Sequence, residues 1–230
     1  MDRPEQGARV TAVNVVFQIL PDPFGETQTT AIDKRAVDGP VHAGSLGLSG
    51  DTQCDRANHG GRDQAVYAYA DEDAAWWSRE LGREVPPGLF GENLRTSGLD
   101  ITGAEIGERW RIGDGPDPLV VEVTSPRVPC RTFQHRMAEQ HWVKRFTEHG
   151  APGAYLRVVT PGPVVAGAPL LVEYRPGHGV TVGKAFLSRD AAVMRRLLDA
   201  AQAGTFEIAE DMRLYARRVV DRAGDRIGTG

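Results

Sequence analysis

The chain has 230 residues, 40% of them hydrophobic and 25% charged, with a formal net charge of −4. Those proportions exclude wholesale disorder or a collagen-like chain, and the length allows a sizeable core without disulfide or metal staples. The basic field of a general nucleic-acid scaffold is missing, no run of about 18 apolar residues marks a membrane span, and MDRPEQGARV has no basic-then-apolar leader layout, so neither nucleic acid nor membrane is an expected partner.

Gly and Pro punctuate the chain until about residue 185, which predicts short strands joined by turns. Val10–Phe17 (VTAVNVVF) reads as the first strand and Ala65–Tyr69 as another. Asp71 opens the helix DEDAAWWSREL, with acids in its first turn and a Gly82 stop. Trp76 and Trp77 read as packing residues of that helix, one facing in and one out. Leu119–Thr124 predicts a strand, Met137–His149 a single helix ending at Gly150, and Tyr155–Thr160 and Leu170–Tyr174 further strands.

The tail differs. From Ser188, read as an N-cap, the helix SRDAAVMRRLLDAAQAG runs to Gly204, and a second covers Glu207–Ala223 with Ile208, Met212, Tyr215 and Val219 at helical spacing. Tyr174–Gly179 reads as a hinge. The expectation is a mixed α/β, mainly β domain over 1–175 and a small helical appendage over 180–230.

Two cysteines make no disulfide framework at this size and read as reduced thiols of a cytoplasmic protein. Cys130 sits in SPRVPCR, after a strand, in a turn stiffened by two prolines and flanked by Arg127 and Arg131. Positive charge beside a thiol favours the thiolate, the form that attacks or binds metal. A small buried hydrophobe is the plain alternative. Cys54 has acidic neighbours and reads as incidental. His59 precedes Gly60–Gly61, a turn that lets backbone N–H groups approach an anion, although a solvated histidine in a plain turn explains it as well. Cys54-x4-His59 and Cys130-x4-His135 repeat one spacing, but structural zinc sites use tighter pairs. Lys34, Arg35, Arg62, Arg127 and Arg131 form either an anion pocket or solvated charge; spacing does not decide. No nucleophile elbow, P-loop, HExxH motif, flavin fingerprint or iron–sulfur cysteine cluster is present.

Several phrases then occur together and in order: GLSGDTQCDRANHGGRDQAVYAY (47–69), FGENL (90–94), IGERWRIG (106–113), SPRVPC (125–130), GAYLRVV (153–159) and VVAG (164–167). In these the chain resembles the MOSC domain, the module at the C-terminus of molybdenum cofactor sulfurases, and within it the stand-alone YiiM-like branch with its short helical extension. The resemblance covers most of 10–175. It implies a β-barrel with short helices and a pterin-bound molybdenum cofactor with Cys130 as metal ligand. Related proteins reduce N-hydroxylated compounds such as amidoximes, hydroxylamines and N-hydroxylated bases; others are thought to carry or sense cysteine-bound sulfur. On this reading Arg127 and Arg131 steady the thiolate or bind the pterin phosphate, with Lys34, Arg35 and Arg62 as second-choice contacts. His59, Asp51 and Asn93 serve proton delivery, pterin hydrogen bonds or turn structure. A reductase would need a separate electron-donor protein. The chain departs from the family pattern at Cys54, where a small residue is common, and at Ala168, where many members carry an acid.

Overall fold

The computed structural model describes residues 7–25, 27–54 and 60–227. Eleven strands and six α-helices alternate along them. The strands are β1 (Arg9–Pro21), β2 (Thr29–Ala36), β3 (Val41–Gly44), β4 (Gly47–Leu48), β5 (Val66–Ala70), β6 (Leu94–Ser97), β7 (Arg109–Ile112), β8 (Leu119–Pro126), β9 (Ala154–Thr160), β10 (Gly162–Val164) and β11 (Leu170–Tyr174). The helices are α1 (Asp71–Leu81), α2 (Arg131–Met137), α3 (Trp142–His149), α4 (Val182–Ala185), α5 (Ala191–Gln202) and α6 (Glu210–Ile227).

Eight strands form one mixed sheet in the order β11-β7-β8-β9-β5-β6-β1-β2, and β10-β3-β4 form a smaller one. Only β5 and β6 pair in parallel in the large sheet, with α1 in the connection between them. The expected closed barrel is not present as a continuous ladder among the described residues. β11 and β2 end the sheet, and an isolated bridge, Arg9↔Pro169, links β1 to the approach of β11.

Sequence alternation explains why β5 sits at the centre. All five residues of VYAYA are buried. Val66, Ala68 and Ala70 enter one core, while Tyr67 and Tyr69 enter another on the opposite face. The first core joins the sheet's inner residues, such as Val10, Leu94, Val121 and Leu156, to the tail residues Met194, Leu197, Phe206, Met212 and Ala216. Gly107 permits this: its φ is +88°, and a Cβ there would lie 2.4 Å from Cγ of Phe206. The second core is aromatic, with Trp77, Phe90, Phe133, Trp142 and Phe146 packed under Tyr69. Trp77 is buried and Trp76 is partly exposed, stacked on His149 at 3.8 Å.

The strand and first-helix expectations agree with the structure to within a few residues, apart from β1, which runs on to Pro21. Three helix expectations are corrected. The helix expected over 137–149 is helical only over 142–149, because Met137 ends a separate, earlier helix and Ala138 and His141 take left-handed conformations (φ +54° and +55°) between the two. The first tail helix is capped by Asp190, not Ser188, its carboxylate accepting from the N–H groups of Ala192 (2.8 Å) and Val193 (3.4 Å). The second starts at Glu210, after a bend that buries Phe206.

Candidate functional site

β8 ends at Pro126, and the Arg127–Pro129 turn delivers Cys130 to the N-cap of α2 in extended conformation. The turn lines a cavity of about 410 Å³. That volume lies in the range of small-molecule sites. Cys130 is half-buried and lines it, together with Lys34, Asp51, Asn93, Arg127 and Arg131.

Arg127 is the most constrained of these. It is 6% exposed and lies over the rings of Phe133 (3.8 Å) and Tyr67 (5.1 Å). Its Nη1 has no hydrogen-bond partner among the described residues. Burial pulls the Arg127 pKa down, but the facing Tyr67, Tyr155 and Cys130 groups outweigh it and the net shift is upward. Burial pushes the Tyr155 phenol up, with Arg127 pulling against it. A buried cation with a free donor, beside a thiol and two phenols, has electrostatic capacity for an anion.

The opposite wall is a buried polar network. Asp51 accepts from the backbone N–H of Val16 (3.0 Å) and from Asn93 Nδ2 (2.7 Å), and pairs closely with Lys34 Nζ. Asn93 also donates to the carbonyl of Asn14 (3.2 Å) and accepts from the N–H of Tyr67 (3.1 Å). Its donors are therefore committed within the fold, which ties β1, β5 and β6 together behind the cavity. The neighbouring Glu92 is fully buried and accepts from Gly88 N–H (2.7 Å), Phe90 N–H (3.0 Å) and Arg95 Nε (2.8 Å). The phrase FGENL is thus a hydrogen-bonded corner that aims Asn93 at Asp51.

A hairpin forms the rim. β1 extends past its pairing with β6, with register shifts at Gln18, and pairs on with β2 as far as Pro21↔Thr29. Thr132 Oγ1 donates to Asp22 (2.5 Å) and Arg136 to Asp33 (2.6 Å), so α2 latches the hairpin beside Cys130. Phe24 and Val128 stand exposed at the mouth.

The sequence-predicted residues divide accordingly. Cys130, Arg127, Arg131, Lys34, Asp51 and Asn93 meet at one cavity. Arg62 and Arg35 do not line it. Arg62 makes a two-pronged pair with Glu207 of the tail, both bonds 3.0 Å. Arg35 lies exposed, 3.4 Å above the ring of Phe17. His59 lies outside the described residues. Cys54 lines the same cavity as Cys130. No three His, Cys, Asp or Glu groups converge as a metal cage among the described residues. Tyr67, Tyr155 and Asp22 were missed. Alternation in AVYAY places Tyr67 opposite Val66, a usable signal; Tyr155 reaches the site because β9 pairs it with Ser125 of β8.

A model of the MOSC domain matches residues 55–171. The chain is 34% identical over 166 residues to Protein YiiM of Escherichia coli, covering 70% of this chain and 71% of that one. It is equally identical over 158 residues to the uncharacterized protein YflK of Bacillus subtilis, covering 69% and 70%. The chain belongs to the MOSC domain family, in its YiiM-like branch. The crystal structure of YiiM from Geobacillus stearothermophilus superimposes with a TM-score of 0.74 at 24% identity, covering 93% of this chain and 99% of that one, which shows the shared fold. A Gibberella moniliformis protein named Reductase is 31% identical over 156 residues; the match spans 66% of this MOSC chain but 27% of that longer protein. No helix among the described residues is long and apolar enough to cross a membrane.

Proposed function

We propose that this MOSC protein binds the molybdenum–pterin cofactor and reduces N-hydroxylated compounds. The observation that carries this reading is the buried Arg127 Nη1, which lacks a protein partner in a cavity that also holds the Cys130 thiol. Arg127 keeps Tyr155 as a hydrogen-bond partner, but a buried guanidinium N–H left without an acceptor costs stability unless an anion answers it. A thiolate-ligated, phosphate-bearing cofactor supplies both partners. Cys130 would provide the soft ligand that molybdenum accepts, and Arg127, with Arg131 at the rim, would hold an anionic oxygen. Lys34 is less available for that role, because Asp51 already occupies it.

When bound, the cofactor supplies two-electron redox chemistry at the metal, which the polypeptide lacks. The protein holds the thiol on a proline-stiffened turn, walls one side of the cavity with the latched hairpin and presents proton-bearing groups. The Gibberella relative named Reductase supports a redox role. Electrons would come from a separate protein of the flavin or iron–sulfur class, in the cytoplasm where both thiols stay reduced. The Arg9–Pro169 bridge supports reading the open ladder as a barrel of the MOSC type.

The test is metal analysis of protein made in a molybdopterin-competent host, beside Cys130→Ala. About one molybdenum per chain is expected in the wild type and none in the variant, with hydroxylamine turnover following the metal under a chemical reductant. Folded wild-type protein without molybdenum would replace this reading with a persulfide carrier, to be sought by persulfide detection on Cys130.

A further inference from the structure

Of the 27 basic residues in this chain only three are lysines, Lys34, Lys144 and Lys184. Lys144 is 74% exposed, and Lys184 is exposed with its ammonium on the Gly179 carbonyl (2.8 Å). Lys34 alone is largely enclosed, its side chain 10% exposed, in a cavity whose other cations are arginines. Burying an ammonium is expensive, and a guanidinium in its place would satisfy the same carboxylate with more hydrogen bonds. What a lysine can do and an arginine cannot is give up a proton near neutral pH.

The geometry suits that task. One ammonium proton is committed to Asp51, and no second protein acceptor contacts Nζ among the described residues. Asp51 is 6% exposed and fixed by Val16 and Asn93, so the pair does not swing. The strand that carries Lys34 is fixed too. Gly88 packs on it so closely that a Cβ there would lie 2.3 Å from the Lys34 carbonyl oxygen.

We propose that Lys34 is the proton donor of the reduction, giving its proton to the hydroxyl oxygen of the substrate as the N–O bond breaks. This rests on the reductase reading above. In balance, R–NH–OH takes up two electrons and two protons to give R–NH2 and water. The electrons originate in the donor protein, of the flavin or iron–sulfur class. Lys34 protonates the departing oxygen, solvent protonates the nitrogen, and solvent then restores the ammonium. Burial lowers the Lys34 pKa; Asp51 and Glu92 oppose that shift and Arg127 adds to it, leaving it below the ordinary lysine value. The competing phenols of Tyr67 and Tyr155 move the other way, pushed up by burial.

The test has two arms. Competitive acetylation from pH 6 to 11, read by mass spectrometry, resolves the three lysines of the full chain without cofactor. Each is normalised to its own plateau, with Lys144 as internal reference. The Lys34 midpoint should fall below that of Lys144; a midpoint equal or higher overturns the proposal. In cofactor-loaded protein with a chemical reductant, Lys34→Arg should keep about one molybdenum per chain while kcat falls ~100-fold or more, the usual weight of a general acid. The high-pH limb of the wild-type rate should track the acetylation midpoint and be missing from the variant. Lys34→Ala gives an independent check, since small alkylammonium ions should restore its rate. A Lys34→Arg enzyme within threefold of wild type, or one that loses its molybdenum, overturns the proton-donor role and leaves the reductase reading standing. Wild-type protein that takes up no molybdenum and reduces no hydroxylamine overturns the reductase reading itself, and this one with it.

Discussion

Replacing Arg157 with leucine tests how the helical tail is held to the sheet. Arg157 is 2% exposed and reaches across to the tail, where Nη2 donates to the Glu207 carbonyl at 2.6 Å and Nη1 pairs with the Glu207 carboxylate at 2.8 Å. It also faces Asp63 at 3.4 Å and Glu122 at 3.5 Å. The charge-assisted bond to the carbonyl is worth about 1.5–3 kcal/mol. The Glu207 carboxylate is 61% exposed and keeps Arg62, so its share is at most about 1 kcal/mol. Glu122 is 3% exposed but keeps Arg109 at 2.7 Å and is not orphaned. The total is about 2–4 kcal/mol, or a fall in Tm of roughly 5–15 °C for a domain this size. Urea denaturation would measure it, and limited proteolysis should show earlier cleavage across 203–209. Arg62→Gln, at an exposed pair, is the control and should cost about 1 kcal/mol or less. An Arg157→Leu protein within about 1 kcal/mol of wild type, with unchanged proteolysis, would refute the clamp and assign tail docking to apolar contacts alone.

Asp73, in the first turn of α1, has its carboxyl raised to about 6, chiefly by burial and further by Asp100 and Glu72. A carboxyl raised above its unfolded value costs stability as pH climbs through that window, at most about 3 kcal/mol and about 1–2 after screening at this partly exposed site. Asp73→Asn should therefore raise Tm at pH 7.5 and give no gain at pH 4, compared by thermal melts at both. Gly88→Ala combines a φ of +85° with a Cβ set against the Lys34 backbone; urea denaturation should show a loss of about 2–5 kcal/mol. Asp190→Ala removes the cap of α5 and should cost about 1 kcal/mol by the same measurement.

Local signals carried well wherever one residue type decides one conformation. Gly82 ends α1 and Gly150 ends α3, both with positive φ, as a left-handed cap favours. They failed where the decisive residue had no intrinsic preference for what it does. Nothing in the run 137–149 announces that Ala138 and His141 turn left-handed, because packing of Met137 and Trp142 into the aromatic core imposes it. The short strands β6 and β7 escaped notice for a related reason: LRTS and RWRI carry charge within the strand, and the buried Arg95 of β6 is made tolerable by its pairing with Glu92, which lies outside the strand.

The sequence by itself determined the chemistry on offer: a thiol between arginines in a rigid turn, an acidic chain with only two cysteines, and ordered phrases that mark a MOSC protein. Tertiary structure decided which charges share a cavity. Arg127, Lys34 and Asp51 come from three separate segments, and strand register alone brings them together, while Arg35 and Arg62 carry the same charge but engage Phe17 and Glu207 elsewhere. Charge is a property of a residue, but a site is a property of distances between residues far apart in the chain. Those distances follow from sheet pairings that local sequence does not specify.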